Sequence, residues 1–312
     1  MRKAAIILAL LLVVFVGQGS ASELPTDTYL PVVQRLPTPL RGVGASYAIH
    51  EGYERCAAMR ELGLGWYYNW DANAGLCTGI ESVPWIWCDQ IPGALVGSSL
   101  WAGFGNEPDI HKQCNRSPAT MADVWIGALA KFPGKRWVAP NSYSIEWADD
   151  WLRILTQRQV ALPDALGIHC YEQQGAMGYC EGHWQRAIDL AAKYGIGEVW
   201  ITEYAYVPTA GEPSTKVVTA MNRWLAYVES RPEITRHAWF QLSYAGSESW
   251  AFGVDRNTSL VHFGTGELTP YGLAYRLDPV IWADPRADVN GDKFVDILDL
   301  SLVGGSFGRP VR

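Results

Sequence analysis

The chain has 312 residues, is 48% hydrophobic and 18% charged, and carries a formal net charge of −7 at neutral pH. That length buries a large core and exceeds the roughly 250 residues of a strand-helix barrel, so one main domain with small additions is the simplest organisation. The acidic excess argues against nucleic acid or an anionic membrane surface as the partner.

Residues 1–21 begin with Arg2 and Lys3, continue through an apolar run from Ala4 to Val16, and place Gly19 and Ala21 at cleavage spacing. This pattern predicts a secretory signal peptide and an extracellular protein. The apolar run falls short of the roughly 18 residues a spanning helix needs, so no membrane association is expected after cleavage. Removing Arg2 and Lys3 would leave 23 basic residues against 32 acidic, a net of −9. Residues 22–41 contain four prolines without periodicity and read as an extended lead-in.

From residue 42 to 277 strand-like runs alternate with helical ones. The runs are "GVGASY" (42–47), "LGWYYNW" (64–70), "SVPWIW" (82–87), "LWAGFGNE" (100–107), "KRWVAPNS" (135–142), "ALGIHCYE" (165–172), "EVWITEYA" (198–205) and "TRHAWFQL" (235–242). Helical spacing is clearest at Trp184, Ala187, Ile188 and Ala191, and at Val217, Val218, Met221, Trp224, Leu225 and Val228. Eight such strands predict an α/β fold, a (β/α)8 TIM barrel with a short C-terminal calcium-loop module. Pro84 makes the third strand the weakest of the set. A doubly wound sheet is the competing architecture, but no glycine-rich phosphate loop comes after the first strand.

Six cysteines, Cys56, Cys77, Cys88, Cys114, Cys170 and Cys180, suggest disulfides in an oxidising compartment, with the pairing left open. Cys170 and Cys180 could clip the loop after the sixth strand. The 15 tryptophans and 15 tyrosines exceed ordinary core needs. Some fill a barrel, and others could stack on flat faces such as sugar rings; Trp70, Trp85, Trp87, Trp147, Trp239 and Trp250 are the candidates.

In a barrel of this kind chemistry sits at the C-terminal strand ends. Those positions are Trp70, Glu107, Asn141 with Tyr143, His169 with Tyr171, Glu203 and Trp239. Glu107 on the fourth strand and Glu203 on the seventh would face each other, and two carboxylates across one cleft are what glycosidic cleavage requires. Strand alternation puts His169 and Tyr171 on one side and Cys170 on the other. Asn106 could reach a sugar hydroxyl, and Asp109 could cap the segment just after it. Glycines 103 and 105 would keep the fourth strand narrow beneath the cleft.

The ordered set "GWYYNW", "FGNEPD", "GIHCYE", "ITEYA", "HAWF" and "ELTPYGLAYR" resembles the Asl1-like glycosyl hydrolase catalytic domain, the group containing family 128 endo-β-1,3-glucanases. The resemblance spans Gly42 to Arg276. It implies a retaining barrel hydrolase with Glu107 as acid/base and Glu203 as nucleophile. The same resemblance maps His169, Tyr171 and Trp239 to positions of the family's site; Asn106, Tyr68, Trp70, Asn141 and Tyr143 are read beside them as substrate-binding candidates. The segment Cys77 to Cys114 and the loop "SYAGSESWAFGVDR" depart from better-known members, and those are the loops that shape the sugar subsites.

After a linker at 278–287, residues 288–312 contain "DVNGDKFVDILD". Asp288, Asn290, Asp292, Phe294 through its carbonyl, Asp296 and Asp299 stand at calcium-loop spacing. A structural Ca²⁺ is expected there, and no cofactor for catalysis. With its trailing "DLSLVGGSFG", the loop resembles a dockerin repeat. Lys293 in the usual glycine position and the presence of one repeat rather than two argue against docking to a cohesin. A non-catalytic carbohydrate-binding barrel, a calcium-dependent assembly protein, or a glycosidase of other linkage are the rival readings.

Overall fold

The computed structural model describes residues 40–45, 55–173, 178–208, 214–243 and 258–276. The leader, most of the lead-in, Trp250, and the calcium-loop set Asp288, Asn290, Asp292, Phe294, Asp296 and Asp299 lie outside the described residues.

Nine strands form one sheet: β1 (Leu40–Gly44), β2 (Trp66–Tyr68), β3 (Glu81–Ser82), β4 (Trp85–Ile86), β5 (Trp101–Phe104), β6 (Arg136–Ser142), β7 (Ala165–Gln173), β8 (Glu198–Val207) and β9 (Ile234–Trp239). Their order is β3-β2-β1-β9-β8-β7-β6-β5-β4, and each neighbouring pair is parallel. The two ends of that order, β3 and β4, are separated only by Val83 and Pro84. Val83 N–H donates to Tyr67 O at 2.9 Å, and Pro84 O accepts from Gly103 N–H at 2.9 Å. One segment therefore bonds β2 with its first half and β5 with its second. Proline has no N–H to give, so the third strand of the barrel is interrupted at the residue that made it the weakest in the sequence. Counted around the ring, β5 is the fourth strand and β8 the seventh.

The helices are α1 (Arg55–Glu61), α2 (Pro118–Lys131), α3 (Ile145–Gln157), α4 (Tyr179–Tyr194), α5 (Ser214–Glu229) and α6 (Pro270–Tyr275). Ser117 caps α2 by accepting from Thr120 N–H, with Pro118 at the first turn, and Ser144 caps α3 by accepting from Trp147 N–H. Among the described residues no helix separates β2 from β3 or β4 from β5, and none is long and apolar enough to cross a membrane. β1 begins at Leu40 rather than Gly42, because Arg41 is drawn into the fold. Its buried guanidinium meets Glu229 of α5 at 2.6 Å and donates to Tyr275 O of α6 at 2.6 Å.

The tryptophans divide into two layers. Trp66, Trp85, Trp101 and Trp200 fill the barrel interior with Tyr68 and Val138, while Trp125, Trp151, Trp184, Trp224 and Trp239 pack between sheet and helices. Each buried indole contributes on the order of 4 to 6 kcal/mol of gross transfer free energy. Indoles fit inside because the facing strands carry glycine: a Cβ on Gly103 would meet Trp85 at 2.1 Å. The surplus of aromatic residues is thus largely architectural.

Candidate active site

Strand alternation delivers the site. On β7, Ala165, Gly167, His169 and Tyr171 share a side, and Cys170 faces outward to its disulfide with Cys180. On β8 a register shift between Ile201 and Tyr204 breaks the alternation, and Glu203 pairs across to His169. Such irregularities re-aim side chains at barrel rims. After β5, Gly105 takes φ 81°, where a Cβ would meet Pro140 O at 2.4 Å, so the chain can lie close against β6. Glu107, two residues on, takes φ 45° and donates its N–H to Asn141 O at 2.9 Å. Trp70 and Asn141 also take positive φ, 62° and 55°. Non-glycine residues held there cost on the order of 1 kcal/mol or more each and gather where a site is over-determined by its surroundings.

The result is a buried carboxylate pair. One ligand-capable atom from each of Glu107, His169 and Glu203 lies within 4.8 Å of the others. His169 Nδ1 stands 3.1 Å from Glu107 Oε1 and 3.4 Å from Glu203 Oε2. Glu203 Oε1 accepts from Trp70 Nε1 at 2.7 Å and Tyr68 OH at 3.2 Å, and its Oε2 accepts from the Tyr171 hydroxyl. Burial pushes Glu203 above the usual carboxylate range; the charge of Glu107 adds to this, while His169, Tyr171 and Trp70 pull it back. Burial works against a charge on His169, yet Glu203 and Glu107 together raise it above its ordinary value. The His169 ring, set between two carboxylates, offsets part of their mutual repulsion.

The other expected residues divide clearly. Trp70 and Tyr171 border the pair, with Tyr68 fully buried beneath Glu203 and also donating to Thr202 O at 2.7 Å. Asn106 is buried, and its Oδ1 has no partner among the described residues, as suits a group awaiting a ligand. Tyr143 is half-buried, within hydrogen-bonding reach of Tyr179 and 5.8 Å between ring centres from His183.

Three expectations change. Asn141 is sealed: its Nδ2 donates to Phe104 O at 2.9 Å and Val138 O at 3.1 Å, and its Oδ1 accepts from Thr202 at 2.9 Å. It braces the barrel interior and offers nothing to a sugar. Trp239 is equally sealed, packing on Tyr204, Trp224 and Tyr275 with Nε1 donating to Thr258 O at 2.7 Å. The residue that reaches the site from β9 is the next one, Phe240, 5.7 Å from Trp70 and 5.8 Å from Tyr171 between ring centres. Counting alternation from the interior residue Ala238 identifies it. Asp109 also acts elsewhere than expected, accepting from Tyr143 N–H at 3.1 Å and Ser144 N–H at 2.6 Å to hold the start of α3. Of the stacking candidates, Trp85 and Trp239 are core, Trp70 and Trp147 are half-buried, and Trp87 is exposed.

Residues 44–275 match the family model described as glycosyl hydrolase catalytic core. No curated protein matches the chain. Among solved structures, a GH128 subgroup I endo-β-1,3-glucanase from Amycolatopsis mediterranei, in complex with laminarihexaose, is 23% identical with TM-score 0.61 over 76% of this chain and 98% of that one. A GH128 subgroup III curdlan-specific exo-β-1,3-glucanase from Blastomyces gilchristii is 22% identical with TM-score 0.57 over 78% of this chain and 100% of that one. A GH128 subgroup VII oligosaccharide-binding protein from Cryptococcus neoformans is 20% identical with TM-score 0.54 over 77% and 93%. At these identities the structures share the barrel, and the match of the family model over most of the chain carries the assignment: this chain belongs to the glycosyl hydrolase catalytic core family and is a glycoside hydrolase.

Proposed function

We propose that the protein hydrolyses β-1,3-glucan internally, by double displacement on Glu203 and Glu107. The observation that carries this is the approach of the two carboxylates to within 4.8 Å. Retaining enzymes hold their carboxyl groups about 5 to 5.5 Å apart, whereas inverting ones leave about 6.5 to 9.5 Å for a water.

Glu203, with both oxygens oriented by Tyr68, Trp70 and Tyr171, attacks the anomeric carbon. The glycosidic C–O bond breaks as Glu107 gives its proton to the departing oxygen, leaving a glycosyl ester on Glu203. Glu107, now a carboxylate, takes a proton from water as that water attacks the same carbon, and Glu203 is released. Asn106 Oδ1 is the acceptor for a sugar hydroxyl beside the reacting centre. Trp70 and Phe240 supply the apolar wall.

The substrate class rests on the solved neighbours that act on β-1,3-glucan, among them the enzyme holding laminarihexaose. The oligosaccharide-binding neighbour keeps a binding-only barrel in view, although such a protein has no use for a paired, hydrogen-bonded carboxylate set. Export through residues 1–21 and a structural Ca²⁺ on the loop from Asp288 to Asp299 belong to the same proposal on sequence grounds alone.

Incubating the mature chain with laminarin, curdlan, cellulose and xylan tests the substrate class. Soluble oligosaccharides of mixed length from laminarin support it. Glucose alone would make the enzyme exo-acting, and release from cellulose or xylan instead would replace the linkage.

A further inference from the structure

Trp87 directly follows β4 and is 40% exposed, where Trp85, two residues before it, is 1% exposed. A cavity of about 380 Å³ opens beside it, lined by Trp87, Asp89, Gln90, His111, Gln113, Asn115 and Arg116 together with Cys88 and Cys114. Pockets of roughly 300 to 1,000 Å³ with an aromatic wall and a few convergent polar groups are the usual small-ligand sites. The cavity belongs to the catalytic loop as well as to the third strand: Ile110 N–H donates to Glu107 O at 3.0 Å, and Arg116 N–H to Pro108 O at 2.8 Å. A disulfide between Cys88 and Cys114, both buried, ties the segment after Trp87 to the segment after Glu107.

The charge in the cavity is self-cancelling. Arg116 Nε meets Asp89 Oδ2 at 2.7 Å, and its Nη1 donates to Cys114 O at 3.3 Å and Asn115 O at 3.1 Å. What remains for a ligand is an indole face, two side-chain amides of glutamine, an asparagine and an imidazole. Such a lining suits a neutral, flat, hydroxyl-rich ring and offers little to an anion or a cation.

We propose that this cavity is an accessory sugar subsite on the Glu107 side of the cleft, with the Trp87 indole as its stacking platform and the Cys88–Cys114 disulfide holding its two walls together. The inference rests on the β-1,3-glucan reading for its ligand, and it makes that reading more specific: the enzyme favours chains long enough to reach Trp87. Pre-setting the platform with a disulfide reduces the ordering cost of binding each added sugar.

The test compares wild type, Trp87→Ala and Trp87→Phe on oligosaccharides from laminaribiose to laminarihexaose. Trp87→Ala is expected to lower kcat/KM on the longest chains roughly 3- to 10-fold, mainly through KM, and to leave the shortest cleaved chain within about twofold. Trp87→Phe should recover much of the loss. An equal loss at every length, or no loss at any, overturns the subsite. Calorimetry on the Glu203→Gln protein separates this from failure of the catalytic reading. Binding that strengthens with length and loses that gain in Glu203→Gln/Trp87→Ala supports the subsite even if wild type cleaves nothing. Binding independent of Trp87 overturns it.

Discussion

Glu107 and Glu203 are joined through His169, whose Nδ1 lies 3.1 Å from one carboxylate and 3.4 Å from the other. Two buried carboxylates this close repel each other when both are charged, and the imidazole between them offsets part of that repulsion. In Glu107→Gln we expect hydrolysis of laminarin to fall by about 10²- to 10⁴-fold, the range for loss of a general acid-base group. Glu203→Gln should fall at least as far. Both variants should melt near wild type, because glutamine keeps the size and shape of the side chain it replaces. Activity that survives either change would remove that residue from the reaction.

Tyr171→Phe isolates the orientation of Glu203. The hydroxyl donates to Glu203 Oε2 and draws its pKa down against burial. A hydrogen bond to a charged group is worth about 1.5 to 3 kcal/mol, so kcat should drop roughly 10- to 150-fold. Without that donor Glu203 protonates at higher pH, so the acid limb of the kcat/KM profile should move upward in pH. A drop in rate with an unmoved limb would mean that Tyr171 binds substrate rather than tuning Glu203.

His183 gives the fold a pH dependence of its own. Burial, followed by the charge of Arg186, lowers it to about 4, against weaker raising by the Tyr143 backbone and Glu146. Its unfolded value is near 6.5, so the unfolded chain binds the extra proton first. The associated stability is full above pH 6.5 and is lost as pH falls towards 4, on the order of 3 kcal/mol. Melting temperatures of His183→Gln should therefore decline less than wild type across that window. Parallel curves for the two proteins would refute the assignment.

The Arg41–Glu229 pair closes the barrel where its first strand meets its last helices. Arg41 is 6% exposed and also holds Tyr275 O. Arg41→Met removes the guanidinium and leaves Glu229, itself 22% exposed, with His237 Nε2 at 3.8 Å, so a loss of about 1.5 to 3 kcal/mol is expected. Urea unfolding should show that loss, with part of it regained in Arg41→Met/Glu229→Gln. A loss below about 1 kcal/mol would place the pair with ordinary surface bridges.

The barrel was legible because its strands are bounded by turns and read with a period of two, and the carboxylates because both come late in strand-like runs of the sequence, although β8 continues past Glu203 to Val207. Pro84 announced the interruption of the third strand. Other features depend on contacts that sequence spacing does not encode. Asn141 stands at a strand end like Glu107, yet three hydrogen bonds turn it into the barrel. Trp239 is the larger aromatic of its strand end, but alternation places Ala238 and Phe240 inward and Trp239 against the helices. Asp109 pairs with backbone 34 and 35 positions away, a distance no local capping rule covers. The sequence placed Cys170 and Cys180 as a clip across one loop, and they pair, but the partners Cys56 with Cys77 and Cys88 with Cys114 emerged only when the loops were folded together.

Double displacement by two glutamates at this spacing leaves a stereochemical signature, because two inversions at one carbon restore its configuration. Proton NMR of laminari-oligosaccharide hydrolysis, followed from the first turnover, reads the configuration of the newly released reducing end before mutarotation mixes it. Retention gives the β anomer first, with the α anomer growing in later. Release of the α anomer first would mean a single inversion and would rule out a glycosyl ester on Glu203.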